Sequence, residues 1–417
     1  MHRIVARQPI LDHYERVYGY ELLSRPGGEG IWPMAGGGPA GEGVFPGTPA
    51  LEGIEEITEG TRAFIKCSRQ ALIDGYVAGL PRDKVVLEVP ASGEPDAGVV
   101  AACRRWKEAG FQIALENFQG AGQDPLADVA DIFKLDLTAS TDRAQWHLLR
   151  KYRPRGAKFV AGKVEKRTQF RAAVQQGFSY FQGPFFCRLE AYSTSDVAPT
   201  KAGYLLVLRA VTRPEIDVQE VADTIKHDLA LSYKLLRFLN SPRFAFSSQI
   251  KSIRHALLLL GHDEVRKWVG LISVTALGDG APSILVSTAL IRAALCESLA
   301  PLVGAPKRPS DYFLLGLLSC IDVLTKRPMP AVLAELPIAP DVSAALLGEG
   351  NPLRDALQVV ISYEQGDWEE CSQWSSKLGI REEKLEELYL QALRWNRGLT
   401  QAEKDEPSVP SRELALT

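Results

Sequence analysis

The sequence predicts two domains, a (β/α)8-type α/β barrel followed by an all-helical domain. Three observations carry this. Short β-branched and aromatic runs alternate with helical patterns over the first 190 or so residues. Strand signals cease after Gly203. The 417 residues are 46% hydrophobic and 24% charged, which supplies a sizeable core to each of two domains.

In chain order, the predicted strands are Ile4 to Ile10, Val17 to Leu23, Ala63 to Cys67, Lys84 to Val89, Phe111 to Leu115, Ile132 to Leu137, Lys158 to Ala161 and Tyr180 to Phe186. Helical patterns fall at Ser68 to Gly79, Pro95 to Gly110, Thr141 to Tyr152 and Lys166 to Gln176. Eight strands with intervening helices suggest a parallel closed sheet, whose chemistry would sit at the C-terminal strand ends. Glycine and proline break the rhythm between Pro26 and Gly60, so residues 26–48 are expected to be a flexible loop, with a helical remnant at Glu52 to Ile57. The barrel is assigned to residues 1–195, the helical domain to 196–400 and a flexible tail to 401–417.

In the second domain, Asp217 and Glu220 fit a capping box. Leu231, Leu235 and Leu239 mark one apolar face, which Asn240-Ser241-Pro242 ends. Further helices are predicted from Ile253, Asp263, Ser283, Ser310, Pro352 and Arg381. Trp268 to Leu277 and Leu385 to Trp395 are apolar on more than one side, so at least one is expected between domains or between protomers of a homodimer.

A net charge of -3 gives no argument for a nucleic-acid or anionic-membrane partner. The first residues lack a long apolar run, and runs such as Ala256 to Leu260 are too short to span a bilayer. Six scattered cysteines without a C-x-x-C pair read as buried small residues of a reducing, cytoplasmic compartment.

Glu21, Glu88 and the pair Lys134 and Asp136 lie on three separate predicted strands, so a barrel would bring them to one mouth. Converging carboxylates suit a hard divalent cation. The runs ARQPI (6–10), YGYELLSR (18–25), VVLEVP (85–90), IALENFQG (113–120), FKLDL (133–137), VAGKVEK (160–166) and YFQG (180–183) resemble, in order and spacing, the EAL cyclic-di-GMP phosphodiesterase family. They are most similar to the branch in which an EAL domain precedes an HDOD domain. The resemblance implies a two-metal site at positions Glu21, Lys66, Glu88, Glu116, Asn117, Lys134, Asp136, Gly162 and Gln182, with Gln8 and Arg25 at nucleotide-contacting positions.

Three departures point away from catalysis. Lys66 stands where the family has a metal-binding asparagine, and an ammonium repels a metal. Glu116-Asn117 replaces paired aspartates. Gly162 takes the general-base position, whose loss costs about 10²- to 10⁴-fold. The expectation is therefore a degenerate barrel that hydrolyses nothing, holds no Mg2+ or Mn2+, and acts through an unidentified signalling protein. The alternatives are a cyclic-di-GMP receptor and a weak residual phosphodiesterase using Glu21, Glu88, Glu116 and Lys134. The helical part resembles HDOD domains of the HD superfamily through HDLALSYKLLRFLNS (227–241), KSIRHALLLLGHDEVRKWV (251–269) and FLLGLLSCID (313–322). At the position of the superfamily's metal-binding His-Asp pair it carries Ser319-Cys320, which offers no hard metal site. The literal pairs His227-Asp228 and His262-Asp263 are expected to be helix-terminal, not ligands.

Overall fold

A computed structural model describes residues 6–24, 50–91, 97–118, 125–139, 141–189, 199–213, 215–226, 232, 235 and 252–404. The predicted loop at 26–48, Arg25, His227-Asp228, the domain junction near 195 and the residues beyond 404 lie outside these.

Eight strands close a barrel in sequence order. They are β1 (Ala6–Leu11), β2 (Val17–Leu23), β3 (Arg62–Lys66), β4 (Val85–Pro90), β5 (Gln112–Glu116), β6 (Ile132–Asp136), β7 (Lys158–Gly162) and β8 (Tyr180–Gln182). The expectation of an all-parallel sheet needs correction at β1, which runs antiparallel to both β2 and β8. The reason is the length of the first connection. Asp12 to Arg16 forms a tight turn, in which Asp12 Oδ1 accepts from the backbone N–H groups of Tyr14 (2.8 Å) and Arg16 (2.9 Å). A parallel crossover needs a dozen or more residues, so this link can only make a hairpin.

The barrel interior follows from the two-residue period of a strand. Ile10, Phe64, Val86, Ala114, Ile132 and Val160 pack together as a closed apolar layer. On β3 to β7, two residues further along, stand Lys66, Glu88, Glu116, Lys134 and Gly162. The same face that closes the core therefore delivers a polar ring one layer above it.

The helical part includes Pro199–Val211, Val218–Lys226, Ile253–Leu260, His262–Leu277, Ser283–Leu299, Pro309–Leu318, Pro352–Gln365, Trp368–Leu378 and Glu382–Lys404. Asp217 caps its helix as expected, accepting from the N–H groups of Gln219 (2.8 Å) and Glu220 (3.2 Å). The Glu220 carboxylate turns instead to Arg213, so only half of the predicted box forms. Gly261, not the His262-Asp263 pair, is the N-cap of the helix His262–Leu277, and Asp263 accepts a bond from Ser310 Oγ at 2.8 Å. The single helix predicted across 310–324 is broken at Ser319-Cys320 into Pro309–Leu318 and Ile321–Thr325.

The helix Glu382–Lys404 packs along Ser283–Leu299 and also reaches the barrel, where Arg394 pairs with Glu56. The half-buried ring of Trp395 lies 6.1 Å from those of Trp268 and Phe313 and packs against the helical core. Among the described residues, no helix is long and apolar enough to cross a membrane.

Candidate functional site

Strand register assembles the barrel mouth. Gln8 is paired with Glu21 across β1 and β2, Lys66 with Glu88 across β3 and β4, Glu116 with Lys134 across β5 and β6, and Asp136 with Gly162 across β6 and β7. Residues far apart in sequence become neighbours this way.

At the centre, the Lys134 ammonium donates to Glu21 Oε2 at 2.5 Å and to Glu88 Oε1 at 3.2 Å. All three side chains are nearly or wholly buried. Gln182 Nε2 donates both to Glu21 and to Gln8 Oε1, joining β8, β2 and β1 in one network. Burial disfavours the charged form of Glu21, but Lys134 and Gln182 outweigh it and hold this carboxyl below its ordinary value. Glu88 goes the other way. Burial first, then the neighbouring Glu21 charge, push it up to about 8. Burial also disfavours the Lys134 ammonium, yet Glu21 and Glu88 keep it charged and raise its pKa.

Two outer pairs flank this cluster. Lys66 Nζ lies 2.6 Å from Glu116, and Lys163 Nζ lies 2.8 Å from Asp136. Asn117 and Lys163, immediately after β5 and β7, both adopt the left-handed backbone region, with φ of 57° and 56°. Asparagine tolerates that region, whereas a lysine there is strained. Lys163 falls within the VAGKVEK run, but the sequence assigned it no role, because only the base position beside it, Gly162, was read as functional. Its signal was the AGK triplet itself, a cation placed just beyond a strand end.

The sequence positions thus come together, with Gly162 contributing backbone and Arg25 lying outside the described residues. Their carboxylates are engaged by lysines. Among the described residues, no three His, Cys, Asp or Glu side chains group as metal ligands. Glu21, Glu88, Glu116 and Asp136 each already face an ammonium group. Glu88 Oε2 and Gln182 Oε1 are buried without a hydrogen-bond partner and can accept from a water or a ligand hydroxyl.

In the helical domain, Ser319-Cys320 meets Arg292, which no motif had indicated. Arg292 Nη1 lies 3.3 Å from Ser319 Oγ and 3.4 Å from Cys320 Sγ, while its Nε donates to Glu364 at 2.8 Å. A guanidinium occupies this position, so the pair is tied into a buried ion pair.

The HDOD domain family matches residues 199–335. The chain is 32% identical over 411 residues to the uncharacterized protein YuxH of Bacillus subtilis (strain 168), covering 96% of this chain and 100% of that one. It is 30% identical over 400 residues to the cyclic di-GMP phosphodiesterase CdgJ of Vibrio cholerae, covering 95% and 92%. Among solved structures, it is similar to the Bacillus subtilis YkuI protein with an EAL domain, in complex with cyclic-di-GMP and calcium. That match is 17% identical and covers 53% of this chain and 71% of that one, with a TM-score of 0.33.

The similarity to CdgJ overturns the expectation of a barrel without catalysis, because a relative over nearly the whole chain is a phosphodiesterase. The expectation rested on Lys66, Asn117 and Gly162 together, read without their neighbours in the fold. In the folded chain, Lys66 pairs with Glu116 and Lys163 stands beside Gly162, while the Glu21, Glu88 and Lys134 cluster is assembled.

Proposed function

Because the chain belongs to the EAL–HDOD two-domain family, we propose that its barrel mouth hydrolyses cyclic-di-GMP, opening one phosphodiester bond to give the linear dinucleotide. The observation that carries this reading is the buried Glu21, Lys134 and Glu88 cluster at the strand ends, linked to Gln8 through Gln182. Lys66 and Lys163, both exposed, supply positive charge at the rim for a phosphate. Glu88, with a pKa near the working range, is suited to take a proton from the attacking water. Glu21 keeps Lys134 charged and in place. The proton then goes to the departing ribose oxygen as the bond to phosphorus breaks.

On the same reading the chain works in the cytoplasm, as its scattered cysteines suggest, and its helical domain presents a surface to a signalling protein. The test is turnover of cyclic-di-GMP by the full chain, followed by chromatography, without added metal and with Mg2+ or Mn2+. Linear dinucleotide should form, and Glu21→Gln should slow it by about 10²-fold or more. No turnover in any of the three conditions, or equal turnover by the variant, would overturn the proposal.

A further inference from the structure

Two ammonium groups stand on opposite walls of the barrel mouth. Lys66 ends β3 and Lys163 follows β7, and in a closed barrel of eight strands in sequence order these strands lie across from each other. Lys66 shares the inward face of Phe64 and is paired in register with Glu88. Its side chain is 46% exposed, and Nζ lies 2.6 Å from Glu116 Oε2. That contact is not aligned as a hydrogen bond, since Glu116 Oε2 is a buried acceptor without one. The three N–H donors of the ammonium therefore remain available to an oxygen arriving from solvent. The Lys163 side chain is 67% exposed, beside Asp136. Its backbone sits at φ 56°, where glycine is at ease and a lysine is strained.

These lysines change what can neutralise charge at the mouth. The EAL resemblance implies divalent cations there, and hard cations need a shell of oxygen ligands. Neither lysine can join that shell, because an ammonium has no lone pair, and each repels a cation placed beside it. Glu116 and Asp136 are oxygen donors at the same strand ends, but they face Lys66 and Lys163. Glu21 and Glu88 face Lys134. A pair of divalent cations would have to displace these ammonium groups, whereas a phosphate could approach the two exposed ones directly.

We propose that Lys66 and Lys163 take the place of divalent cations on the two phosphates of the cyclic dinucleotide, so that the mouth binds and opens it without metal. The inference rests on the hydrolytic reading above. Lys66 is assigned to the reacting phosphate because its register partner, Glu88, takes the proton from the attacking water. The ammonium donates to a non-bridging phosphate oxygen, whose negative charge grows as the water oxygen bonds to phosphorus. The bond from phosphorus to the departing ribose oxygen breaks, and the proton passes by way of Glu88 to that oxygen. One water is consumed, and nothing is oxidised or reduced. Lys163, on the far wall, holds the second phosphate and takes no part in bond breaking. A strained lysine at this position has a reason if its charge is used.

The full chain is stripped with EDTA and dialysed into metal-free buffer. Calorimetry then follows cyclic-di-GMP binding, and chromatography follows turnover, each in EDTA, in Mg2+ and in Mn2+. Affinity and turnover should be the same in all three, and Mn2+ titrated alone should give no heat of binding. Lys66→Met should lower kcat by about 10²-fold with a smaller change in KM. Lys163→Gly should raise KM about tenfold with kcat kept. It should also melt above wild type, because glycine relieves the strain. A higher melting temperature with an unchanged KM would show that Lys163 holds no phosphate. Turnover that needs Mg2+ or Mn2+, or tight binding of Mn2+ alone, would overturn the inference and leave the hydrolytic reading standing. If no condition gives turnover, the hydrolytic reading fails, and affinity in EDTA decides the phosphate contacts. Equal affinity of wild type and Lys66→Met would overturn them as well.

Discussion

Glu88 has no measurable solvent exposure, and it shares one lysine with a second carboxylate. Its folded pKa of about 8 stands well above the ordinary 4.5. The folded chain thus keeps this proton over a range in which the unfolded chain has released it. By linkage, stability from this group is greatest below about pH 4.5 and falls as pH rises through about 8. Glu88→Gln removes the titration while retaining a side chain of similar shape. Urea unfolding across that range should show wild type losing stability relative to Glu88→Gln as pH increases. Parallel curves would mean that Lys134 already holds Glu88 ionised. At this scale the sequence identified the residue types of the site but not their partners. Lys134 reaches a glutamate 113 positions away, and only the strand register decides that it is Glu21. Lys66 looked like a lost ligand because a lysine in place of an asparagine, viewed alone, shows only the positive charge it adds. It does not show that Glu116 lies within 2.6 Å to pair with it.

Among elements, the helices Ser283–Leu299 and Pro309–Leu318 pack closely against each other, and Gly316 permits it. A β-carbon at Gly316 would lie 2.4 Å from the backbone C and O of Arg292, atoms that no side-chain rotation can move. Gly316→Ala should therefore push the helices apart and destabilise the domain by about 1–3 kcal/mol, the usual range for overpacking. Because Arg292 holds Ser319 and Cys320, the same variant should expose those residues to alkylation. A melting temperature equal to that of wild type would show that the helices separate without penalty. The strands were legible for a related reason. Alternation such as Phe64 then Lys66, or Val86 then Glu88, marks an inward face whatever the later topology. Strand direction was not legible from that pattern, because alternation reads the same both ways along a chain. The five-residue link from Asp12 to Arg16 held the missing information, being too short for a crossover. The helix break at Ser319-Cys320 left no mark in the apolar pattern, which continues from Leu318 into Ile321.

For the whole molecule, the domains meet over β1 and β2, the strands that carry Gln8 and Glu21. Arg7 alternates with Gln8 on β1 and points the other way. Its guanidinium lies 4.1 Å from the centre of the Tyr20 ring and pairs with Glu59 at 2.6 Å. From the helical domain, the buried ring of Tyr389 lines the cavity between the domains, beside Arg7. Gly366, which ends the helix Pro352–Gln365, sits against Leu23 of β2. The helical domain therefore holds the outer face of the strand pair whose inner face builds the site. Tyr389→Ala would remove a buried aromatic ring from this junction, a truncation that costs about 3–5 kcal/mol when the space does not collapse. Tyr389→Phe would remove only the hydroxyl and keep the ring that fills the junction. Calorimetry should show the wild-type domains unfolding together. With Tyr389→Ala the barrel and the helical domain should separate into two transitions, while Tyr389→Phe keeps one. If β1 is braced from outside, Tyr389→Ala should also weaken cyclic-di-GMP binding, although the residue lies outside the mouth. A variant with one unshifted transition and unchanged binding would mean that the barrel holds Gln8 and Glu21 without help from the helical domain.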